Sequence, residues 1–566
     1  MSTNMTIDAA RTGKDQTVEK TATRVAELTI LFGSETGNAE FLAHQIQGDA
    51  TNSGVETDIA SLDEWLHGKE KAMSRLLLVT STYDNGHMPS NASEFWDWLQ
   101  RLEPGAFDGL PYAALAIGDS MYEDFCKATH DLDGRLEELG AVRVVDSVDC
   151  DVDFDFTAGD WYPGALEALR SSAPWARQVV ETEVEPEPVS DEEKPADVLH
   201  STRIAAARRL SGESSGKCVM HYELEFPDAP FEYQPGDSIA VFPRNSDALV
   251  DEWLAAFGAD GRTMVTVGNR ELPLADALRE ELELNLAHPG LLLALARLRP
   301  ENELAQEGVR VIQTGDRETL DSWLWDRDVL DVLRDLDCLV LPIELVLAEL
   351  RPMQHRAYSI ASSPLSDGDT VHITVSAVEY DAHERTHHGA ASRFLERAAE
   401  TGETFTTKIL PAHEFRLPAD EVPVIMIGPG VGVAPFRSFL RHREASTCTG
   451  RNWLFFGDQH RAHDYLYEDE FEAQADSGLL TQVSLAFSRD QEDKHYVQHD
   501  MLTRADEIRA WLDEGAHVFV CGDKTRMARD VDNALLEILA DGQSTIIAGT
   551  KLAQLKASGR YVKDVY

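Results

Sequence analysis

The sequence predicts a multidomain α/β plus β-barrel protein, and three observations carry that prediction. Near each end of the chain, apolar strands alternate with helical periodicity, and each strand runs into a loop of small residues. Residues 28–32, 76–80 and 112–117 do so at the N-terminal end; 424–427, 453–456, 483–486 and 518–520 do so at the C-terminal end. This alternation marks open parallel sheets, which bind ligands beyond the carboxyl ends of their strands. Between them, residues 200–243 and 353–416 alternate apolar and polar side chains, broken by Gly and Pro, as in 371–376. That pattern predicts an antiparallel barrel. Third, residues 246–350 are rich in Leu, Ala and Glu at helical spacing, as in 291–298, which reads as a helical insertion in the barrel.

The expected organisation is a polar tail over 1–25, a parallel domain over 26–172 and an acidic linker over 173–198. The barrel takes 199–245 and 351–418, the insertion 246–350, and the second parallel domain 419–566. The linker follows from Glu181 to Pro188, where prolines and like charges keep the chain extended. A chain of 566 residues exceeds one hydrophobic core.

Asp and Glu number 100 against 51 Lys and Arg, a formal net charge of -49, and only 13 of the 51 are Lys. Such a field repels nucleic acid and anionic membrane. The acidity reads either as a docking face for a basic partner or as adaptation to high salt; its spread over every segment favours salt. Six cysteines without a CxxC pair suit reduced thiols in a cytoplasm and offer no metal site. The first 25 residues lack an apolar core, so no secretory signal is expected, and no run of about 18 apolar residues predicts a membrane span.

Three loops carry the first chemistry. Ser34, Glu35, Thr36, Gly37, Asn38 and Ala39 turn from strand to helix, offering amides and hydroxyls to an anion. Ser81, Thr82, Tyr83 and Gly86 follow the second strand; Gly118, Asp119, Tyr122, Phe125 and Cys126 follow the third. Either Tyr alone reads equally as a surface or core residue. A phosphate cradle with two aromatic walls fits FMN. Through SETGNA, STYDNG and IGDSMYEDFC this stretch resembles the flavodoxin family. Asp84 and Asn85 depart from that family, which often has Gly and an acid there.

Arg356, Ala357, Tyr358 and Ser359 supply a cation for a pyrophosphate and a ring for an isoalloxazine. Gly389, Ala390, Ala391 and Ser392 open a helix; alone they are a plain helix cap, beside RAYSIASS a second set of phosphate-facing amides. The pair resembles the FAD site of the ferredoxin-NADP reductase family, and the resemblance adds Thr374, Val375, Ser376 and Tyr380. The loop Gly428-Pro429-Gly430-Val431-Gly432-Val433-Ala434-Pro435 is similar to the GPGxGxAP loop of NADP-binding reductase domains. Preference for NADPH needs cations at the 2′-phosphate. Arg489 and Lys494, with Ser488 and Tyr496 beside them, supply them or form a solvated loop; Gln498 and Asp530 join by resemblance.

Cys521 alone reads as an inert buried thiol. The resemblance instead places it near the nicotinamide with Ser359 and Asp564, and sets the terminal Tyr566 over the flavin face. From about 26 to 566 the chain resembles the flavoprotein (alpha) components of assimilatory NADPH-sulfite reductases, within the diflavin reductase family. That resemblance implies electron passage from NADPH to FAD to FMN to a sirohaem/iron-sulfur haemoprotein. The runner-up is a diflavin reductase serving a haem-thiolate monooxygenase or another redox acceptor. A homo-oligomer formed through the N-terminal region also stays open.

Overall fold

The computed structural model describes residues 26–566 except 36, 68–72, 84–85, 121–123, 153, 176–197, 228–230, 268–269, 315–321, 413, 447, 524–525, 543–544 and 566. Thr36, Tyr122, Tyr566, the tail over 1–25 and most of the linker therefore lie outside the described residues.

The first parallel sheet comprises β1 (Leu28–Gly33), β2 (Thr57–Ser61), β3 (Leu76–Ser81), β4 (Pro111–Ile117), β5 (Val142–Arg143) and β6 (Val148–Cys150), in the order β2-β1-β3-β4-β5 with β6 paired to β4. Its central strands are buried on both faces. Leu31, Leu78 and Ala114 pack under Phe95 and Trp98, while Ile30, Phe32, Leu77 and Leu115 pack against Leu42 and Phe154. That two-sided burial explains why they read as unbroken apolar runs.

The middle of the chain forms a six-stranded antiparallel sheet of β7 (Leu199–Arg209), β8 (Cys218–Glu225) and β9 (Ser238–Val241), followed after the insertion by β12 (Arg356–Ser359), β13 (Thr370–Ala377) and β16 (Phe405–Leu410). The strand path is β12-β9-β16-β7-β8-β13, and an isolated bridge, Ile360 to Ile373, joins its two ends. The middle of the chain is thus observed as an antiparallel sheet. The insertion is helical as expected, but it also contains a hairpin of β10 (Met264–Val267) and β11 (Arg270–Pro273) and a π-helical turn over Ala277–Glu281. A second hairpin, β14 (Glu379–Ala382) with β15 (Arg385–His388), leads to the helix Ala390–Thr401.

The last sheet is parallel, ordered β19-β18-β17-β20-β21 from β17 (Val424–Ile427), β18 (Asn452–Asp458), β19 (Leu480–Phe487), β20 (His517–Gly522) and β21 (Tyr561–Val565). Alternate residues again enter opposite cores: Ile425, Trp453 and Val518 on one face, Met426, Leu454 and Phe519 on the other. Among the described residues no helix is long and apolar enough to cross a membrane.

Candidate functional site

In both parallel sheets the strand order reverses beside the first strand, which opens a crevice at the carboxyl edge. In the first sheet the reversal lies between β1 and β3, so the loops after them face one another. Gly37 precedes the helix Asn38–Asn52 at φ 86, a left-handed conformation that glycine adopts without strain. The Ser34 hydroxyl accepts from the Ala39 amide at 3.2 Å, Ser34 N donates to Asn91 Oδ1 at 2.8 Å, and Glu35 Oε2 accepts from the Ser90 amide at 2.7 Å. Thr82 Oγ1 accepts from Ala128 N at 3.2 Å, and Tyr83 pairs with His87 across the turn that holds Gly86. At Gly118 a Cβ would lie 2.8 Å from Cys126 N, so the third loop is pressed tightly against the start of its helix. Cys126 is buried and Phe125 half-buried. Among the described residues of these loops, Glu35, Asn38, Thr82, Tyr83 and Asp119 line a cavity of about 400 Å³.

The far wall of that cavity comes from the other sheets, through Ala357, Gly236, Leu410, Lys563 and Asp564. β12 thus sets the residues expected to hold FAD opposite those expected to hold FMN. Tyr358, next along β12, is half-buried, and that burial pushes its phenol up to about 12. Arg356 Nη2 donates to the buried Glu283 of the insertion at 2.6 Å, and its Nη1 donates to Gln354 O. At Gly389 a Cβ would come within 2.9 Å of Ser392 Oγ and Val378 Cβ, and the hydroxyl of Ser392 accepts from Val378 N. Ala390 and Ala391 follow in the first turn of the helix, where backbone amides lack intrahelical acceptors. The remaining expected FAD residues disperse. Val375 packs in the core, Thr374 Oγ1 lies 2.6 Å from Tyr467 Oη at the seam with the last sheet, Ser376 is half-buried, and Tyr380 stacks on His387 with centroids 4.9 Å apart.

The last sheet reverses between β17 and β20. Gly430 takes φ 59, and at Gly432 a Cβ would meet Cys521 O at 2.2 Å; the glycine loop therefore lies directly against the end of β20. Such a cradle, entering the helix Ala434–Ala445, fits a dinucleotide pyrophosphate. Ser488 N donates to Asp458 O and Arg489 N to Gln459 O, fixing the turn after β19. Arg489 and Lys494 are exposed, Tyr496 is exposed on the same loop, and Gln498 Nε2 donates to Asp530 Oδ2 at 3.2 Å.

Register then explains a convergence of residues far apart in sequence. β20 and β21 run parallel with Cys521 opposite Asp564. Cys521 Sγ lies 3.8 Å from Asp564 Oδ2, and Ser359 Oγ from β12 donates to the same oxygen at 2.8 Å. Burial pushes the Cys521 thiol up, and the Asp564 carboxylate adds to the effect, so sulfur carries its proton and donates. Sequence reasoning missed the residues that lock these parts together. Gln354 reaches Asn38 Oδ1 at 2.9 Å, Glu283 holds Arg356, and Lys217 pairs with the buried Asp458 at 2.6 Å beside the glycine loop. None of these residues stands out by local pattern in the sequence.

Fold and site together define a reductase with two flavin-binding modules and a nicotinamide nucleotide-binding module. Family models agree: flavodoxin matches residues 30–162, FAD binding domain 194–394, and oxidoreductase NAD-binding domain 426–533. The chain is 37% identical over 552 residues to the sulfite reductase NADPH flavoprotein alpha-component of Bacillus subtilis (strain 168), covering 95% of this chain and 89% of that one. It is 37% identical over 547 residues to the counterpart in Shewanella sp. (strain MR-7), with the same coverages. The counterpart in Shigella dysenteriae serotype 1 (strain Sd197) is 36% identical over 557 residues, covering 96% of this chain and 90% of that one. The chain belongs to the sulfite reductase NADPH flavoprotein alpha-component family.

Proposed function

We propose that this protein draws electrons from NADPH and delivers them, through FAD and then FMN, to a sirohaem/iron-sulfur haemoprotein that reduces sulfite to sulfide in assimilatory sulfur metabolism. The observation that carries the reading is the meeting of Ser359 and Cys521 on Asp564, which lines the same cavity that Tyr83 and Asp119 line from the first module. When bound, NADPH supplies hydride and the two flavins convert it to single electrons. The protein's part is binding, orientation and proton inventory. The loops at Ser34, Thr82 and Asp119 hold the FMN phosphate and ring, with Tyr83 and Tyr122 as walls. Arg356 and the helix start at Gly389 neutralise the FAD pyrophosphate, with Tyr358 against the ring and the antiparallel sheet acting as its barrel. Gly430 and Gly432 admit the NADPH pyrophosphate. Ser359 and Cys521 both donate to Asp564, which keeps one carboxylate anchored between β12, β20 and β21, while Tyr566 covers the flavin until nicotinamide arrives. The limits we propose are 26–172 for the FMN module, 199–245 with 351–418 for the FAD module, 246–350 for the insertion and 419–566 for the NADPH module.

The same reading makes the protein cytoplasmic and halophilic, its acidity an adaptation to salt, and leaves self-association to the N-terminal region. Purified chain should carry FMN and FAD together and support sulfide production with the haemoprotein subunit. Turnover with a haem-thiolate monooxygenase and none with the haemoprotein would replace the acceptor.

Nucleotide choice gives a separate expected result. Arg489 and Lys494 present charge to solvent at the turn after β19, where a 2′-phosphate is the group that tells NADPH from NADH. Arg489→Ala should raise the KM for NADPH by about tenfold to a hundredfold, the worth of one charge-assisted contact, and leave that for NADH unchanged. Equal losses for both nucleotides in steady-state assays would refute the assignment.

A further inference from the structure

The first module is not merely tethered to the rest of the chain. The helix Phe154–Ser171, on the far side of the 173–198 linker, places Asp155 into the insertion, and Arg351 Nη2 donates to Asp155 Oδ2 at 2.7 Å. Asp155 is 4% and Arg351 12% exposed in their side chains, so water does not screen this pair. Two further features shape the contact. Asp155 sits over the first turn of the helix Pro289–Leu298, where the amide ends favour a carboxylate. A Cβ on Gly290 would lie 2.3 Å from Asp155 Oδ1, so only glycine at that position lets the carboxylate approach. Around the pair the surface is aromatic: the Arg351 guanidinium lies 4.7 Å from the Phe154 ring centroid, and His288 meets Phe41 edge-on at 6.1 Å. A second link, Gln354 to Asn38, joins the same segment to the start of the helix Asn38–Asn52. These contacts hold the first module's loops across the cavity from Ala357 and Asp564. In that arrangement the loops are covered by this chain's own FAD module, so an external acceptor reaches them only when the contact opens.

We infer that Asp155 and Arg351 are positioning residues for the passage of electrons between the two flavins, a buried latch, seated on Gly290, that holds the first module closed and releases it to the acceptor. The inference rests on the reductase reading above. Each electron lost at FAD is gained at FMN with no group transferred, so what the latch sets is the fraction of molecules in which the two sites face one another. Removing Asp155 leaves the Arg351 charge with its desolvation uncompensated, removing Arg351 leaves Asp155 with His288 Nδ1 at 3.6 Å in place of a full counter-charge, and opening the module returns either group to water. Breaking the pair therefore favours the open form.

The test uses the full chain loaded with both flavins. Asp155→Asn, Arg351→Gln and Gly290→Ala should each enlarge the radius of gyration in small-angle scattering and speed amide exchange over 38–52 about tenfold, within the range of coupling between sites. After mixing with NADPH, FMN bleaching should slow about tenfold while FAD bleaching keeps its rate. Arg351→Lys should recover most of the closed form. The double variant Asp155→Asn/Arg351→Gln should be no more open than either single one, because both act through one contact. Single variants with unchanged scattering and exchange, or a double variant with additive opening, would overturn the latch. A wild-type chain without flavins would instead refute the reductase reading, and scattering and exchange would still decide the latch.

Discussion

Gly432→Ala should cost about 3 kcal/mol or more of stability and lower NADPH-driven dye reduction about a hundredfold. The added Cβ would lie 2.2 Å from Cys521 O, 2.7 Å from Cys521 C and 2.9 Å from Gly522 Cα. All three are backbone atoms, so no side chain can swing aside. Nor can β20 retreat, because it is paired to β17 on one side and β21 on the other. The glycine loop itself must therefore lift off the end of β20 and carry the nucleotide cradle with it, and a shift of about 1 Å at a reacting centre is worth about a hundredfold. Gly430→Ala makes the contrast. Its Cβ would find nothing closer than Asp458 Oδ2 at 3.7 Å, so only the strain of φ 59 remains, about 1–2 kcal/mol. Thermal melts and steady-state rates on both variants decide the matter; a Gly432→Ala protein with wild-type melting and turnover would refute the close-approach account.

That contrast also shows what the sequence made legible. The glycine loop and the SETGNA loop each follow a strand and enter a helix, and RAYSIASS runs from β12 into the helix Pro364–Asp367, so local pattern located them. The parallel sheets were legible for the same reason, since strands buried on both faces read as unbroken apolar runs. What local pattern lacks is the identity of the partner across a module boundary. Arg351 and Asp155 are 196 residues apart, Arg356 and Glu283 are 73 apart, and each side chain alone reads as one more charge in a chain full of them. The meeting of Ser359 with Asp564 was legible only by resemblance, because it depends on β21 adding to the sheet edge beside β20.

The strand alternation of β13 explains a subtler difference. Val371, Ile373 and Val375 enter the core of the antiparallel sheet, so His372 and Thr374 must point the other way. On that side lies the last sheet's helix Ala434–Ala445, not an open flavin site. Thr374 and Val375, expected beside FAD by resemblance, turn their side chains to a module seam and to the core of the sheet.

That seam is the basis of a strong pH dependence. His372 Nδ1 lies 3.2 Å from Arg437 Nη1, which can only donate, so Nδ1 must be the acceptor and His372 is neutral with its proton on Nε2, facing Thr370 Oγ1 at 3.1 Å. His221 stands 4.9 Å away, edge to face, with Nδ1 2.9 Å from Tyr467 Oη. Burial first, then the Arg437 charge, lowers His372 to about 4 and His221 to about 2, while Asp367 and Glu470 oppose the shift at His372. Both folded values lie below the ordinary 6.5, so the unfolded chain binds more protons in acid. The stability these imidazoles contribute is complete above pH 6.5 and is lost as pH falls from there towards 4 for His372 and lower still for His221. For His372 alone the loss at pH 4 is about 3 kcal/mol. Asp367, held at about 2 against the effect of its burial by Arg441 and neighbouring hydrogen bonds, adds its own loss only below its ordinary 3.8. Acidification should therefore loosen the last sheet from the antiparallel one, seen as a falling melting temperature with release of FAD between pH 6.5 and 4.5 at constant salt. The double variant His221→Gln/His372→Gln should start less stable at pH 7.5 and lose far less over the same interval. Parallel melting curves for the two proteins across that range would show that other groups govern the acid response.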